Sequence, residues 1–298
     1  MPLVECVPYV SEGRRPEVID RIIHAIRGVP GAHVLDVSSD ASHNRSVITM
    51  VGSPGSLEDA TLALYAEAIA SIDLRTHSGA HPRLGAVDVV PFIPIDGLTM
   101  SECVQMARDT GARVAARFQL PVFLYEEAAT TPARRNLAEI RRGEFEGLPA
   151  KLAGHGWTPD FGPATPHQSA GATVIGARLP LIAFNVNLAT PHLEIAKAIA
   201  TTVRHSSGGL PFVKALGVPV AERGLAQVSM NLTNYEQTPI VRAFEAVRTE
   251  AARHGVAVVD SEIVGLVPAA ALTETSPAEL LLAAFTDNQI LENRIRDL

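Results

Sequence analysis

The sequence predicts a mixed α/β (α+β) chain built from two consecutive β-α-β-β-α-β units. Three observations carry this expectation. Short valine- and isoleucine-rich runs alternate with stretches whose apolar residues recur at helical spacing. The same order of elements occurs on both sides of one long irregular segment. The chain has 298 residues, 47% of them hydrophobic, which at about 100–200 residues per domain is enough for two cores.

The first half opens with a valine-rich strand, 3–10. Pro16 then starts a helix over 16–27, in which Val18, Ile19, Ile22, Ile23 and Ile26 share one face. Strands at 33–38 and 46–52 flank the polar connection SDASHNR, and Ser53-Pro54-Gly55 opens a helix over 55–72. THSGAHPRLGA at 76–86 is a loop by its glycines and proline. A strand follows at 87–95, where Pro91 and Pro94 argue for an edge position or a distortion, since proline gives no ladder hydrogen bond. A helix over 99–118, a strand PVFLYE and a short charged helix over 132–143 come next. Residues 154–171 hold four glycines and three prolines and form the longest irregular segment. The pattern then restarts: strand LIAFNVNL, helix 191–205, strands PFVKALGVPV and LAQVSMNL, helix 239–253 and strand VAVVDSE. This order is the split βαβ, or ferredoxin-like, arrangement. Two such subdomains are expected, 1–179 and 180–298.

Charge and composition exclude several classes. A formal net charge of −7 gives no general basic surface for nucleic acid. No apolar run approaches the roughly 18 residues of a membrane span. MPLVECVPYV lacks the basic start and apolar core of a signal peptide. Two distant cysteines, Cys6 and Cys103, make neither a disulfide framework nor a four-ligand zinc site. A cytoplasmic protein of reducing surroundings is expected.

The densest chemistry lies in the 77–88 loop. His77, His81, Arg83 and Asp88 combine two imidazoles suited to proton transfer near neutral pH, a forked cation for a carboxylate and an anion to orient either. Against this stands a plain reading in which the histidines are solvated and Arg83 pairs with Asp88. A zinc site on His77 and His81 would need a helix, which Gly79 and Pro82 oppose. A second cluster, Asp36, Asp40, His43, Asn44 and Arg45, offers a grip for a substrate carboxylate, or is simply a turn satisfying its own backbone. Arg134, Arg135, Arg141 and Arg142 read as a solvated helix face partnered by Glu139 and Glu144. There is no GxGxxG after the first strand and no phosphate-binding GxxxxGK[ST] loop.

VECVPYVSEG, GAHPRLGAVDVVPFIP, VFLYEEAA, RRNLAEIRRGEFEGLP, WTPDFGP, GATVIGAR, LIAFNVNL, AQVSMNL and SEIVGLVP occur in that order. Together they resemble the glutamate formiminotransferase (glutamate formimidoyltransferase) family over most of the chain. The resemblance implies two ferredoxin-like subdomains with a folate tunnel between them. It implies transfer of a formimino group between N-formimino-L-glutamate and tetrahydrofolate in histidine breakdown. Tetrahydrofolate would be a co-substrate, no metal would be needed, and a homodimer is suggested. The cyclodeaminase domain joined to this unit in animals is not expected.

By the same resemblance, the catalytic histidine falls on His81. The folate loop falls on Gly162, Pro163, Ala164, Thr165, Pro166, His167, Gln168, Ser169, Ala170 and Gly171. The two carboxylates of the glutamate part call for arginine, with Arg45, Arg83 and Arg178 as candidates beside Asn44; Asp36 or Asp88 would face the positive amidinium. Ser38 stands where an acidic residue is expected, and Pro166–Ser169 depart from the family pattern. The alternatives are 5-formyltetrahydrofolate formyl transfer, formimino hydrolysis, or folate binding without catalysis.

Overall fold

Pro8 has no N–H to give a ladder, and the opening strand breaks around it into β1 (Leu3–Cys6) and β2 (Tyr9–Val10). The computed structural model describes residues 2–298, in two units, one ending at Arg178 and the other spanning Leu179–Leu298.

In the first unit, α1 (Pro16–Arg27) precedes β3 (Ala32–Asp40) and β4 (Arg45–Gly52). Next come α2 (Pro54–Ser71), capped by the Ser53 hydroxyl, and β5 (Val87–Asp96). A Thr99–Glu102 capping box starts α3 (Met100–Phe118), which leads to β6 (Val122–Glu126). The strands form one seven-stranded sheet. The β3, β4, β1/β2 and β5 pairs are antiparallel, while β5 and β6 run parallel to β7 (Thr173–Ala177), which lies between them.

Two sequence expectations change here, and one unassigned motif finds its place. β5 is interior rather than an edge, because β1/β2 and β7 pair with its two sides; the expected distortion appears at Pro94 as a register shift opposite β1, while Pro91 lies opposite the break between β1 and β2. GATVIGAR supplies a parallel strand whose small residues let it fit between β5 and β6. The charged helix over 132–143 is in fact a 3₁₀ turn at Pro132–Arg134 and a short α4 (Leu137–Arg141). A separate α5 (Glu144–Ala153) follows, unforeseen because the 3.6-residue pattern is obscured by Gly147 and Pro149.

The parallel part of this sheet is buried on both faces. Val90, Phe92, Leu124 and Ile175 enter the core shared with α1–α3. Val89, Phe123, Tyr125 and Val174 enter a second cluster with Ile140, Leu148 and Leu152 of α4 and α5.

The second unit contains β8 (Ile182–Leu188), α6 (Leu193–Val203), β9 (Val213–Val220), β10 (Leu225–Leu232), α7 (Ile240–Arg253) and β11 (Val258–Val264). Its antiparallel sheet runs β11-β8-β10-β9. Ile182, Phe184, Val186 and Leu188 face the helices, with the Phe184 and Phe244 rings 6.4 Å apart. The alternate residues Asn185, Asn187 and Gln227 are buried and bonded to Asp260 and Glu262. A short α8 (Leu291–Arg296) closes the chain. No helix among the described residues is long and apolar enough to cross a membrane.

Candidate active site

The two polar clusters of the first unit, distant in sequence, meet in space. The hairpin between β3 and β4 turns at Asn44, whose φ of 50° is left-handed. Its side-chain oxygen accepts from the Gly13 amide at 3.0 Å, and its Nδ2 donates to the Ser78 carbonyl at 3.0 Å. The Ala80 amide donates to the Ser42 carbonyl at 3.1 Å. A Cβ on Gly79 would stand 2.2 Å from the His43 carbonyl oxygen, so only glycine permits this approach.

His77 is occupied on both ring nitrogens. Nε2 lies 3.0 Å from the Asn44 carbonyl, which can only accept, so Nε2 carries the proton; Nδ1 accepts from Arg83 Nε at 3.2 Å. Burial lowers its pKa. It is a brace, with no nitrogen left for metal or proton transfer.

Arg83 grips Glu146 and Glu144 rather than Asp88, with NH2 to Glu146 Oε1 at 2.6 Å and NH1 to Glu144 Oε2 at 3.0 Å. These bonds raise the Arg83 pKa and hold the Glu146 carboxyl below its usual range. The plain reading of an Arg83–Asp88 pair therefore fails. Asp88 instead accepts from the Leu84 amide at 2.7 Å and pairs with Arg141. It braces the loop, with both oxygens committed.

His81 is half-buried and faces a cationic environment. Burial, and then the charges of Arg45 and Arg141, push its pKa down to about 2. Its ring bonds to the Pro82 backbone. Proline offers only a carbonyl there, so one ring nitrogen donates and the other remains an acceptor. The His43 ring lies edge-on at 6.3 Å. His43 Nδ1 is 2.8 Å from Asp40, whose carboxyl burial would raise; the His43 amide and ring outweigh burial and hold it low.

Arg45 rests over the Tyr9 ring, 5.2 Å from its centroid, and its Nε is buried without a hydrogen-bond partner. Burial lowers its pKa. Asp36 is half-buried on β3, opposite Thr49. Arg178 sits beyond the end of β7, its amide on the Phe92 carbonyl at 3.1 Å and its side chain on the Tyr125 phenol.

The Gly162–Gly171 loop is joined to the histidine loop by backbone bonds: Leu74 N to Ser169 O at 2.8 Å, Ala86 N to Ala170 O at 3.0 Å and Ala172 N to Leu84 O at 3.2 Å. His167 closes its far end, exchanging backbone bonds with Gly171 at 2.8 and 2.9 Å while its Nδ1 accepts from Ala170 N at 3.1 Å. Gly162 starts the loop at φ 85°, where a Cβ would lie 2.1 Å from the Leu120 carbonyl oxygen.

Sequence reasoning missed two arginines. Arg134 and Arg141 are 6% and 12% exposed and pair with Asp160 and Asp88, whereas Arg135 and Arg142 are 59% and 75% exposed. No local spacing separates the two pairs, since Arg135 and Arg142 are also seven residues apart; the buried pair is decided by partners 26 and 53 residues away in the chain.

The N-terminal subdomain model of the formiminotransferase domain matches residues 3–178, and the formiminotransferase domain model matches residues 183–283. A glutamate formimidoyltransferase of Streptococcus pyogenes serotype M1 is 46% identical, covering 98% of both chains. One of Thermoplasma acidophilum is 48% identical, covering 99% of this chain and 98% of its own. A formimidoyltransferase-cyclodeaminase of Rattus norvegicus is 46% identical over 92% of this chain, which spans 52% of that longer protein. With both domain models matched in order and such identity over nearly the whole length, this chain belongs to the formiminotransferase family.

Proposed function

We propose that this chain transfers the formimino group between N-formimino-L-glutamate and tetrahydrofolate, giving 5-formiminotetrahydrofolate and L-glutamate, with His81 as the proton-transfer group. The observation that carries the reading is an imidazole kept neutral by burial and by Arg45 and Arg141, with its ring hydrogen-bonded to the Pro82 backbone. It stands on a loop whose backbone is bonded to the Gly162–Gly171 loop. The near full-length likeness to proteins named glutamate formimidoyltransferase supports it.

The chemistry runs through the free nitrogen of His81. The N5 lone pair of tetrahydrofolate attacks the amidine carbon, and His81 takes the N5 proton. The resulting imidazolium returns a proton to the glutamate nitrogen as the C–N bond of the tetrahedral intermediate breaks. Holding both substrates in one site replaces a chance encounter by an oriented one. The Gly162–Gly171 loop holds the folate. Asn44, Arg83 and Asp88 keep the histidine loop in place, and Arg45 faces the acidic donor. Asp36 and Arg178 are the further substrate-side residues. No metal takes part in this scheme.

The second unit's strand order supports the ferredoxin-like reading, with 1–179 and 180–298 as the two subdomains. Two buried free cysteines suit a reducing, cytoplasmic setting. A homodimer is the proposed assembly.

The test mixes the protein with tetrahydrofolate and N-formimino-L-glutamate, then adds acid to convert product to 5,10-methenyltetrahydrofolate, read by its ultraviolet absorbance. Wild type should give signal and His81→Ala should lose about 10²–10⁴ in kcat while still binding tetrahydrofolate. A folded wild type that binds folate but makes no product would refute the reading.

A further inference from the structure

The charges of two guanidiniums, Arg45 and Arg141, reach His81, and the one buried carboxylate set against them is Asp88. Arg45 and Arg141 both act on the His81 ring and repel each other. Asp88, 2% exposed at its side chain, pairs with Arg141. Its other oxygen is taken by the Leu84 amide. Asp40 is 47% exposed and committed to His43. Arg45 rests on the Tyr9 ring rather than on an anion. The Nε atoms of Arg45 and of Arg141 are both buried and lack hydrogen-bond partners. A buried cation without a counter-ion is unfavourable unless something else supplies the charge. Two unsatisfied Nε–H groups, one on each arginine, are donors of the kind a carboxylate accepts.

We propose that Arg45 and Arg141 together seat one carboxylate of the formimino donor, and that Arg141, braced by Asp88, is a specificity-determining positioning residue for that acidic substrate. This rests on the function proposed above. Burial, and then these two charges, keep protons off His81; an arriving carboxylate neutralises the charges and so raises the proton affinity of the imidazole beside its substrate. The groups facing the ring are Arg45, Arg141, His43 and the Pro82 carbonyl.

The probe is glutarate, a dicarboxylate with no amine and no transferable group, followed through the His81 ring signals of histidine-labelled protein. Glutarate should shift those signals saturably and raise the His81 pKa, while the neutral glutaramide should not. Arg141→Gln should weaken glutarate about tenfold, the scale of one lost charge-assisted contact. It should raise KM for N-formimino-L-glutamate by a similar factor and leave KM for tetrahydrofolate within about twofold. Because Arg141→Gln strands Asp88, the pair Asp88→Asn with Arg141→Gln is measured beside it, and Arg45→Gln independently.

Unchanged glutarate affinity in all three variants would overturn the proposal. So would an equal rise in KM for both substrates. Saturable, arginine-dependent glutarate binding in a wild type that transfers no formimino group would refute the proposed function and leave the carboxylate seat standing.

Discussion

Asp160 offers a direct measure of how the start of the Gly162–Gly171 loop is held. Its carboxylate accepts from the Leu124 amide at 2.8 Å, the Thr130 hydroxyl at 2.6 Å and Arg134 NH1 at 2.7 Å. The side chains of Arg134 and Asp160 are only 6% and 8% exposed. Replacing Asp160 by alanine leaves a buried guanidinium with only neutral partners, the Gly156 and Thr158 carbonyls, the Thr130 hydroxyl and the Phe123 ring. Breaking such a pair from one side costs about 3–5 kcal/mol. At about 2–4 °C per kcal/mol for a unit of this size, melting should fall by roughly 6–20 °C. The assay is urea unfolding followed by the single tryptophan, Trp157, which packs on Phe123 with ring centroids 6.0 Å apart. Arg142→Ala serves as the control, because that pair is exposed and should cost no more than about 1 kcal/mol. Replacing both partners, Arg134→Met with Asp160→Leu, should recover much of the loss, since neither charge is then stranded. An Asp160→Ala loss below about 1 kcal/mol would refute the reasoning, because the pair would then behave like a surface one.

Other outcomes follow from the same structure. Gly162→Ala forces a side chain into a left-handed backbone against the Leu120 carbonyl. It should cost at least about 1–2 kcal/mol in urea unfolding and weaken tetrahydrofolate binding; unchanged values would show the loop free to move aside. The His81 pKa is far below that of an unfolded histidine. Its ring signals in the free protein should therefore not titrate between pH 8 and 5, and kcat/KM should show no acid limb from His81 near pH 6.5. A His81 titration near pH 6.5 would contradict the cationic surroundings described here. Glu12 behaves differently. Burial would raise its pKa, but hydrogen bonds from the Arg14 amide and from Arg15 outweigh that and hold it low. A depressed carboxylate contributes stability above its unfolded pKa that is lost as pH falls, so stability should drop below about pH 4.5, and Glu12→Gln should flatten that slope.

Much of the fold was legible because local chemistry sets it. Pro16, Ser53 and the Thr99–Glu102 pair mark helix starts, and periodicity marks the amphipathic helices. The alternation of strands and helices along the chain followed from the same signals. Less legible were elements whose local signal is ambiguous. GATVIGAR is too short and too rich in small residues to show a period, and only its parallel pairing with both β5 and β6 makes it a strand. Pro91 reads as an edge residue along the chain, yet it lies inside the sheet, paired with Gly176 on one side and opposite the break between β1 and β2 on the other.

The sequence by itself determined the two-part α/β build, the His81–Arg83 loop and the family, since these rest on residues adjacent in the chain. Tertiary structure alone decided the partners. Arg83 chose Glu144 and Glu146 over the nearby Asp88, and His77 became a brace rather than a second base. Arg141, read along the chain as one of four solvated charges, joined Asp88 across 53 residues and came to stand with Arg45 beside His81. The physical reason is that charge pairing and proton affinity depend on distance and burial. Both are fixed only when the sheet and its loops close, whereas helix caps and apolar periods act within a turn or two of chain.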